Sequence, residues 1–328
     1  MTLRLVFDRD DLLRVRLADG PDPLWELVLS LLCARDRDPQ LPAHLARWRR
    51  QAGARVRRDA HAREWLSTLF TLVPAAGDFP DFLTPAYDRG GIDAGCEALA
   101  GTRRGLLETD LAGVFGDDTP PSWVRELATG DRRRLSAVTG AVRSGYEAML
   151  APQWHEISGA TSTDRTSRAG VLAREGVGGL LAGIPGVIGW DGQVLEIGYG
   201  LRTHTVHLRG RGLTLQPSFF CTERPITLID PELPPVPVYP AAGTPLAGSL
   251  EVSPRLVALL GRTRAECLAA LTSTRTTSEL AARVGTSIGT ASKHATVLRE
   301  AGLVTSVRHR GAVRHYLTQL GSALLDEC

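Results

Sequence analysis

The residues whose types and spacing can do chemistry lie near the C-terminal end of the chain. Leu280, Ala281 and Val284 recur at three-to-four spacing, and Gly285 interrupts them. A second apolar set follows at the same spacing, Ile288, Ala291, Ala295 and Leu298. This pattern predicts helix, tight turn, helix. Ser278 is expected to cap the first helix, Thr286 or Ser287 the second, and Gly302 to end it. With the apolar set turned inward as core, the second helix presents Gly289, Thr290, Ser292, Lys293 and Thr296, which are short, polar or cationic. Such a front suits hydrogen bonding to base edges in a DNA major groove rather than covalent catalysis. His294 is as compatible with packing or capping as with a DNA contact. Thr277, Ser278 and Ser287 sit where a helix start can donate to phosphate.

Two short β-branched runs follow, Leu303–Val307 and Val313–Thr318, around Arg308-His309-Arg310-Gly311-Ala312. They predict a β-hairpin with a basic tip. Arg308 and Arg310 are the expected phosphate or minor-groove contacts, whereas Arg314 fits a solvated strand position equally well. The whole is a winged helix-turn-helix. From Ser253 to Leu325 it resembles the ArsR-type winged-helix regulators. The resemblance is carried by Leu259-Leu260-Gly261-Arg262-Thr263-Arg264, by Thr277-Ser278-Glu279-Leu280-Ala281, and by Thr290-Ala291-Ser292-Lys293-His294 with Leu298-Arg299-Glu300-Ala301-Gly302-Leu303-Val304. Arg310-Gly311 and Tyr316 extend it into the wing. It covers under a quarter of the chain. It implies a DNA-binding repressor, and because a single winged helix buries a small interface, the expectation is a homodimer on a pseudo-palindromic operator. Metal-sensing members carry cysteines on the first motif helix, or Asp and His on the last helix. Neither set is present here, so metal sensing is not carried over.

Charge is distributed in the same sense. Net charge is only +2, yet residues 254–318 hold ten Arg and Lys against three Asp and Glu. The rest of the chain holds 28 against 33 and is mildly acidic. A basic module attached to an acidic body is the electrostatic pattern of a DNA-binding domain carried by something else. The five cysteines, Cys33, Cys96, Cys221, Cys267 and Cys328, are scattered without a CxxC pair, which argues for a reducing compartment. The N-terminus lacks the apolar block of a signal peptide. The uncharged run 176–190 is 15 residues, short of the roughly 20 that a spanning helix needs. The expectation is a cytoplasmic protein without a membrane partner.

The elements that must carry this module read as an α+β body. Leu3–Phe7 alternates like a strand, and Asp8 then starts a helix through about Arg16. Further helices are expected over 24–34, 45–53, 60–73, 93–104, 123–127, 135–150 and, as one long element, 153–181. Arg47, Arg49, Arg50, Arg55, Arg57 and Arg58 form a basic run. A solvated helix face accounts for it better than a second nucleic-acid contact. From Gly186 the composition shifts. Two runs joined by Asp191-Gly192 carry a strong hairpin signal, and strand candidates follow at 205–208, 213–220, 226–229 and 236–239. The expected organisation is therefore a mainly helical region 1–183, a small antiparallel β region 184–240, a linker 241–252 and the winged helix 253–328. The body is also similar to the uncharacterised N-terminal domain that accompanies some ArsR-like regulators, which implies no ligand.

No catalytic residue, cofactor or metal ligand is read from the body. His204 and His207 are three apart on a strand and face opposite ways. Gly198-Tyr199-Gly200 and Gly210-Arg211-Gly212 read as turns, since neither precedes a helix. Cys221 reads as a buried small hydrophobe. The reading is a sequence-specific regulator of double-stranded DNA, not an enzyme, with an unidentified small-molecule effector left open. The alternative makes the body a ligand-binding or enzymatic domain, lined by Trp190, Tyr199, Phe219 and Phe220, which uses the winged helix to regulate its own synthesis.

Overall fold

Asp8 and Asp11 shape the start of the chain. Each side chain accepts the other's backbone N–H, at 2.8 and 2.9 Å, closing a capping box around one short turn of helix. The computed structural model describes residues 2–327 except 37–40, 76, 87–89, 117–118, 199–203, 223–224, 229, 231–232, 234, 242–252, 272–273, 285, 287 and 310–311. The chain divides into two compact units, Met1–Thr244 and Pro245–Cys328, and is α+β throughout, with helix predominating.

The first unit opens with β1 (Thr2–Val6), whose Leu3 and Leu5 point into the core. Helix α1 (Arg9–Leu13) ends three residues earlier than expected, and Val15–Leu17 forms β2 instead. The strand wins because Leu213–Leu215 offers it a pairing partner. Seven helices follow: α2 (Pro23–Arg35), α3 (Ala43–Val56), α4 (Ala62–Leu72), α5 (Gly91–Ala100), α6 (Arg104–Phe115), α7 (Ser122–Ala128) and α8 (Arg132–Met149). Asp22 caps α2 by accepting from Leu24 N and Trp25 N, and most of that helix is buried. The helix expected over 93–104 is α5, which stops at Ala100, and α6, starting at Arg104, is a helix not expected from the sequence. Helix α9 (Trp154–Ala182) runs 29 residues through a kink at Gly176, whose φ of 70° suits a residue without a Cβ.

Then come β3 (Val187–Trp190), β4 (Val194–Gly198), β5 (His204–His207), β6 (Leu213–Ser218) and β7 (Val238–Pro240). Asp191 accepts from Gln193 N and Val194 N, and Gly192 takes φ +98°, so the Asp-Gly turn closes the β3–β4 hairpin as its sequence requires. The sheets differ from the small antiparallel one expected over 184–240. One has the order β3-β4-β1-β5, with β1 antiparallel to β4 but parallel to β5. The other, β2-β6-β7, is parallel throughout. Both recruit a strand from the first 17 residues. Short hairpins enforce antiparallel pairing, but a crossover through the eight helices α2 to α9 leaves direction to the path of the chain.

The second unit comprises α10 (Pro254–Leu260), α11 (Arg262–Ala270), β8 (Arg275–Thr276), α12 (Thr277–Val284), α13 (Ile288–Glu300), β9 (Val304–His309), β10 (Ala312–Leu317) and α14 (Gln319–Glu327). The strands form one antiparallel sheet of order β8-β10-β9. Its core joins Leu256, Leu268, Leu271, Leu280, Leu298, Leu303 and Val304 with several alanines, a composition that lets short helices approach closely. Among the described residues of both units, no helix is long and apolar enough to cross a membrane.

Candidate nucleic-acid interface

Helix α12 starts from a capping box. Thr276 N donates to Glu279 Oε2 at 2.6 Å, and Glu279 N donates to Thr276 Oγ1 at 3.2 Å. The cap is therefore Thr276, not Ser278, because Thr276 also belongs to β8 and is held by pairing with Arg314. Ser278 lies exposed in the first turn instead. At the other end Thr286 N returns to Ala281 O at 2.9 Å. Helix α13 closes with Leu303 N on Leu298 O, and Gly302 stands at φ 72°, as expected of a glycine terminator.

Ala291, Ala295 and Leu298 form the buried stripe of α13. At 100° per residue, Gly289, Lys293 and Thr296 lie opposite that stripe, flanked by Thr290 and His294 on one side and Ser292 on the other. Ser292 and Lys293 are exposed, whereas Thr290 and His294 are half-buried. Ile288 departs from expectation. Read as core, it is 57% exposed, since the buried stripe begins one turn later at Ala291.

The hairpin is longer than the sequence suggested. Its strands pair out to Ala312 opposite His309, with Arg308 opposite Val313 and Arg314 opposite Val307. Arg314 is exposed. The Arg308 side chain, and Ser287 and Arg310 altogether, lie outside the described residues. The expected site residues that are described thus fall on the start of α12, on α13 and on the hairpin of one unit.

A further residue ties these parts together. His315, on β10, is 5% exposed, with Nε2 2.9 Å from Thr277 Oγ1 and Nδ1 2.8 Å from Ser306 Oγ. Burial, aided by the Arg299 charge, holds its pKa below the usual histidine value, so the ring is neutral at physiological pH. The Thr277 hydroxyl consequently faces the hairpin, which leaves Ser278 as the exposed hydroxyl of that first turn. Sequence spacing cannot reveal this contact, because it joins residues 38 apart. Nearby, burial lowers the Arg275 guanidinium and brings Arg283 down to about 10, the second with help from Arg275; both remain cationic at neutral pH.

The first unit offers less. Arg47 pairs with Glu156 at 2.8 Å, and Arg55 Nε donates to Ala148 O at 2.9 Å, where Trp48 Nε1 also meets Met149 O at 3.0 Å. Two members of the basic run, Arg47 and Arg55, thus brace α9 and α8. Phe219 and Phe220 are buried against His44 and Trp48, with ring centroids 5.1 and 4.6 Å apart, and Trp190 packs on Phe7; Tyr199 lies outside the described residues. These aromatics fill core rather than line a pocket. Gly212 N donates to Asp11 Oδ1 at 2.9 Å, so that glycine turn serves the fold. Burial raises the Cys221 thiol well above its ordinary value, which removes it as a nucleophile. Two open grooves lie along α8, about 400 and 620 Å³, and share Arg143. No protein-family profile, curated protein or solved structure matches this chain.

Proposed function

We propose that this protein is a sequence-specific regulator of double-stranded DNA, with residues 253–328 acting as a winged helix-turn-helix. The supporting observation is the exposed front of α13, Gly289, Ser292 and Lys293 over a buried alanine stripe, followed by a hairpin that carries Arg308 and Arg314. In this reading α13 enters the major groove, and the hairpin meets phosphate or the minor groove. The excess of ten basic over three acidic residues across 254–318 favours a polyanion. One such module buries a small interface, so the expected binding form is a homodimer on two half-sites about one helical turn apart, repressing transcription.

The test is fluorescence anisotropy of the full chain on its own upstream DNA, titrated with salt and competed with random duplex. Specific binding with a steep salt dependence is the expected result. Binding indifferent to sequence would overturn the reading. A second reading gives the body a small-molecule site, for which the adjoining grooves on α8 are the observation; a metabolite that raises the melting temperature would support it.

A further inference from the structure

Ile288 is one of several exposed aliphatic side chains of the second unit, with Leu259, Val297, Val307 and Leu320. It stands 57% exposed in the first turn of α13, where the outward residues beside it, Gly289, Ser292 and Lys293, are small or polar. The buried stripe of α13 leaves it out, and the unit's core closes without it. One turn further along the same flank stands Ser292, exposed, and Lys293 lies beside that serine. Gly289, next to Ile288, has no side chain to hold a partner surface at a distance.

We infer that Ile288 is a specificity-determining residue that packs on the 5-methyl group of a thymine in the major groove. This rests on the DNA-binding reading above and sharpens it. The first residues of a groove-inserted helix are those that reach base edges, and the thymine methyl is the only apolar feature a base pair presents there. An aliphatic side chain has no hydrogen bond to offer adenine, guanine or cytosine. Placed at the helix start it selects for the methyl, while Ser292 and Lys293 supply polar contact with neighbouring bases or phosphate. Each half-site is therefore expected to hold one thymine whose methyl, rather than its hydrogen-bonding edge, is required.

The test begins by selecting duplexes from a random-sequence pool with the full-length protein. Each thymine of the selected site is then replaced singly by deoxyuridine, which removes the methyl and leaves base pairing intact. At one position per half-site the wild-type protein is expected to lose about three- to fivefold in affinity, the worth of one methyl group taken out of water. Ile288→Ala is expected to bind the thymine duplex with a similar loss and to be indifferent to deoxyuridine at that position. The substituted side chain is exposed, so the variant should melt with wild type; Ile288→Val, which keeps a branched methyl, should retain part of the discrimination. A selected site in which no thymine methyl matters would overturn the inference while leaving the DNA reading intact. So would equal sensitivity of Ile288→Ala and wild type to deoxyuridine. A pool that yields no enriched sequence would overturn both.

Discussion

The two units handle their polar side chains in opposite ways. In the first, charged groups are turned inward. Glu26 is wholly buried, accepting from Ser218 Oγ, Phe219 N and Phe220 N at 2.8, 2.9 and 3.3 Å. Asp164 and Arg168 form a buried pair on α9, joined by Tyr239 Oη donating to Asp164 at 2.7 Å and by Arg168 donating to Gly183 O at 3.0 Å. Asp110 holds the Phe82 N–H at 2.7 Å. Among the described residues of the second unit the core is aliphatic apart from Cys267 and His315, and Ser278, Ser292, Lys293 and Arg314 face outward. A buried ion pair specifies how helices and strands dock, whereas an exposed cation is available to a partner. The first unit turns these groups to holding itself together, and the second presents its own to solvent, on the surface proposed above to meet DNA.

Perturbations aimed at one unit should therefore leave the other unmoved. The largest expected effect is from Arg168→Ala, which strands the Asp164 carboxylate inside the first unit. Losing one partner of a buried pair costs about 3–5 kcal/mol. Hydrogen exchange followed peptide by peptide should show lost protection across α9 and β7, with α12 and α13 unchanged. A loss shared equally by both units would break the comparison.

Gly321→Ala should do the converse. A Cβ built there would run into the Leu303 carbonyl oxygen and press on the Leu317 side chain at 3.2 Å, so α14 must shift. Overpacking of this kind costs about 1–3 kcal/mol. The lost protection should be confined to α13, α14 and the hairpin.

A pH scan should separate the units by sign. Burial pushes Glu26 up to about 7 and Asp110 up to about 6, the second reinforced by the Asp81 and Asp230 carboxylates. Above their ordinary values the folded first unit holds protons that the unfolded chain has released. Its stability is thus fullest in acid and falls as pH rises through 6 to 7. His315 behaves oppositely. Its folded pKa is depressed, so its contribution is intact above the ordinary histidine value and is lost as pH falls below it. Raising pH from about 5 to about 7.5 should weaken protection near α2 by about 1–3 kcal/mol and strengthen it in β9 and β10. Glu26→Gln should flatten the first trend alone.

The smallest effect concerns binding. Lys293→Ala should leave both units folded and reduce the slope of log affinity against log salt by about one if it meets a phosphate. An unchanged slope together with altered base preference would place Lys293 on a base edge instead. No change in either would remove it from the interface.

Much of the second unit was legible in its sequence because its determinants are local. A three-to-four repeat of alanines and leucines, a glycine after each helix and a short basic turn each act within a few residues. The same holds for Asp8-x-x-Asp11 and for Asp191-Gly192 in the first unit. The Thr276 cap was missed because the threonine also belongs to a two-residue strand, whose existence depends on β10. Ile288 was misassigned because a periodic pattern says which face is apolar but not where burial begins along it.

The sequence alone determined the spacing of α12 and α13, the β9–β10 hairpin and the uneven charge, since each follows from short-range backbone preference or from counting ionisable groups. Only the tertiary structure decided that residues 2–6 and 15–17 complete sheets with strands from beyond residue 186. It also decided that Arg55 serves a helix end and that His315 joins the hairpin to α12. Those contacts join residues tens to hundreds of positions apart. Their energy comes from burial and from pairing that exist only once the chain has closed on itself.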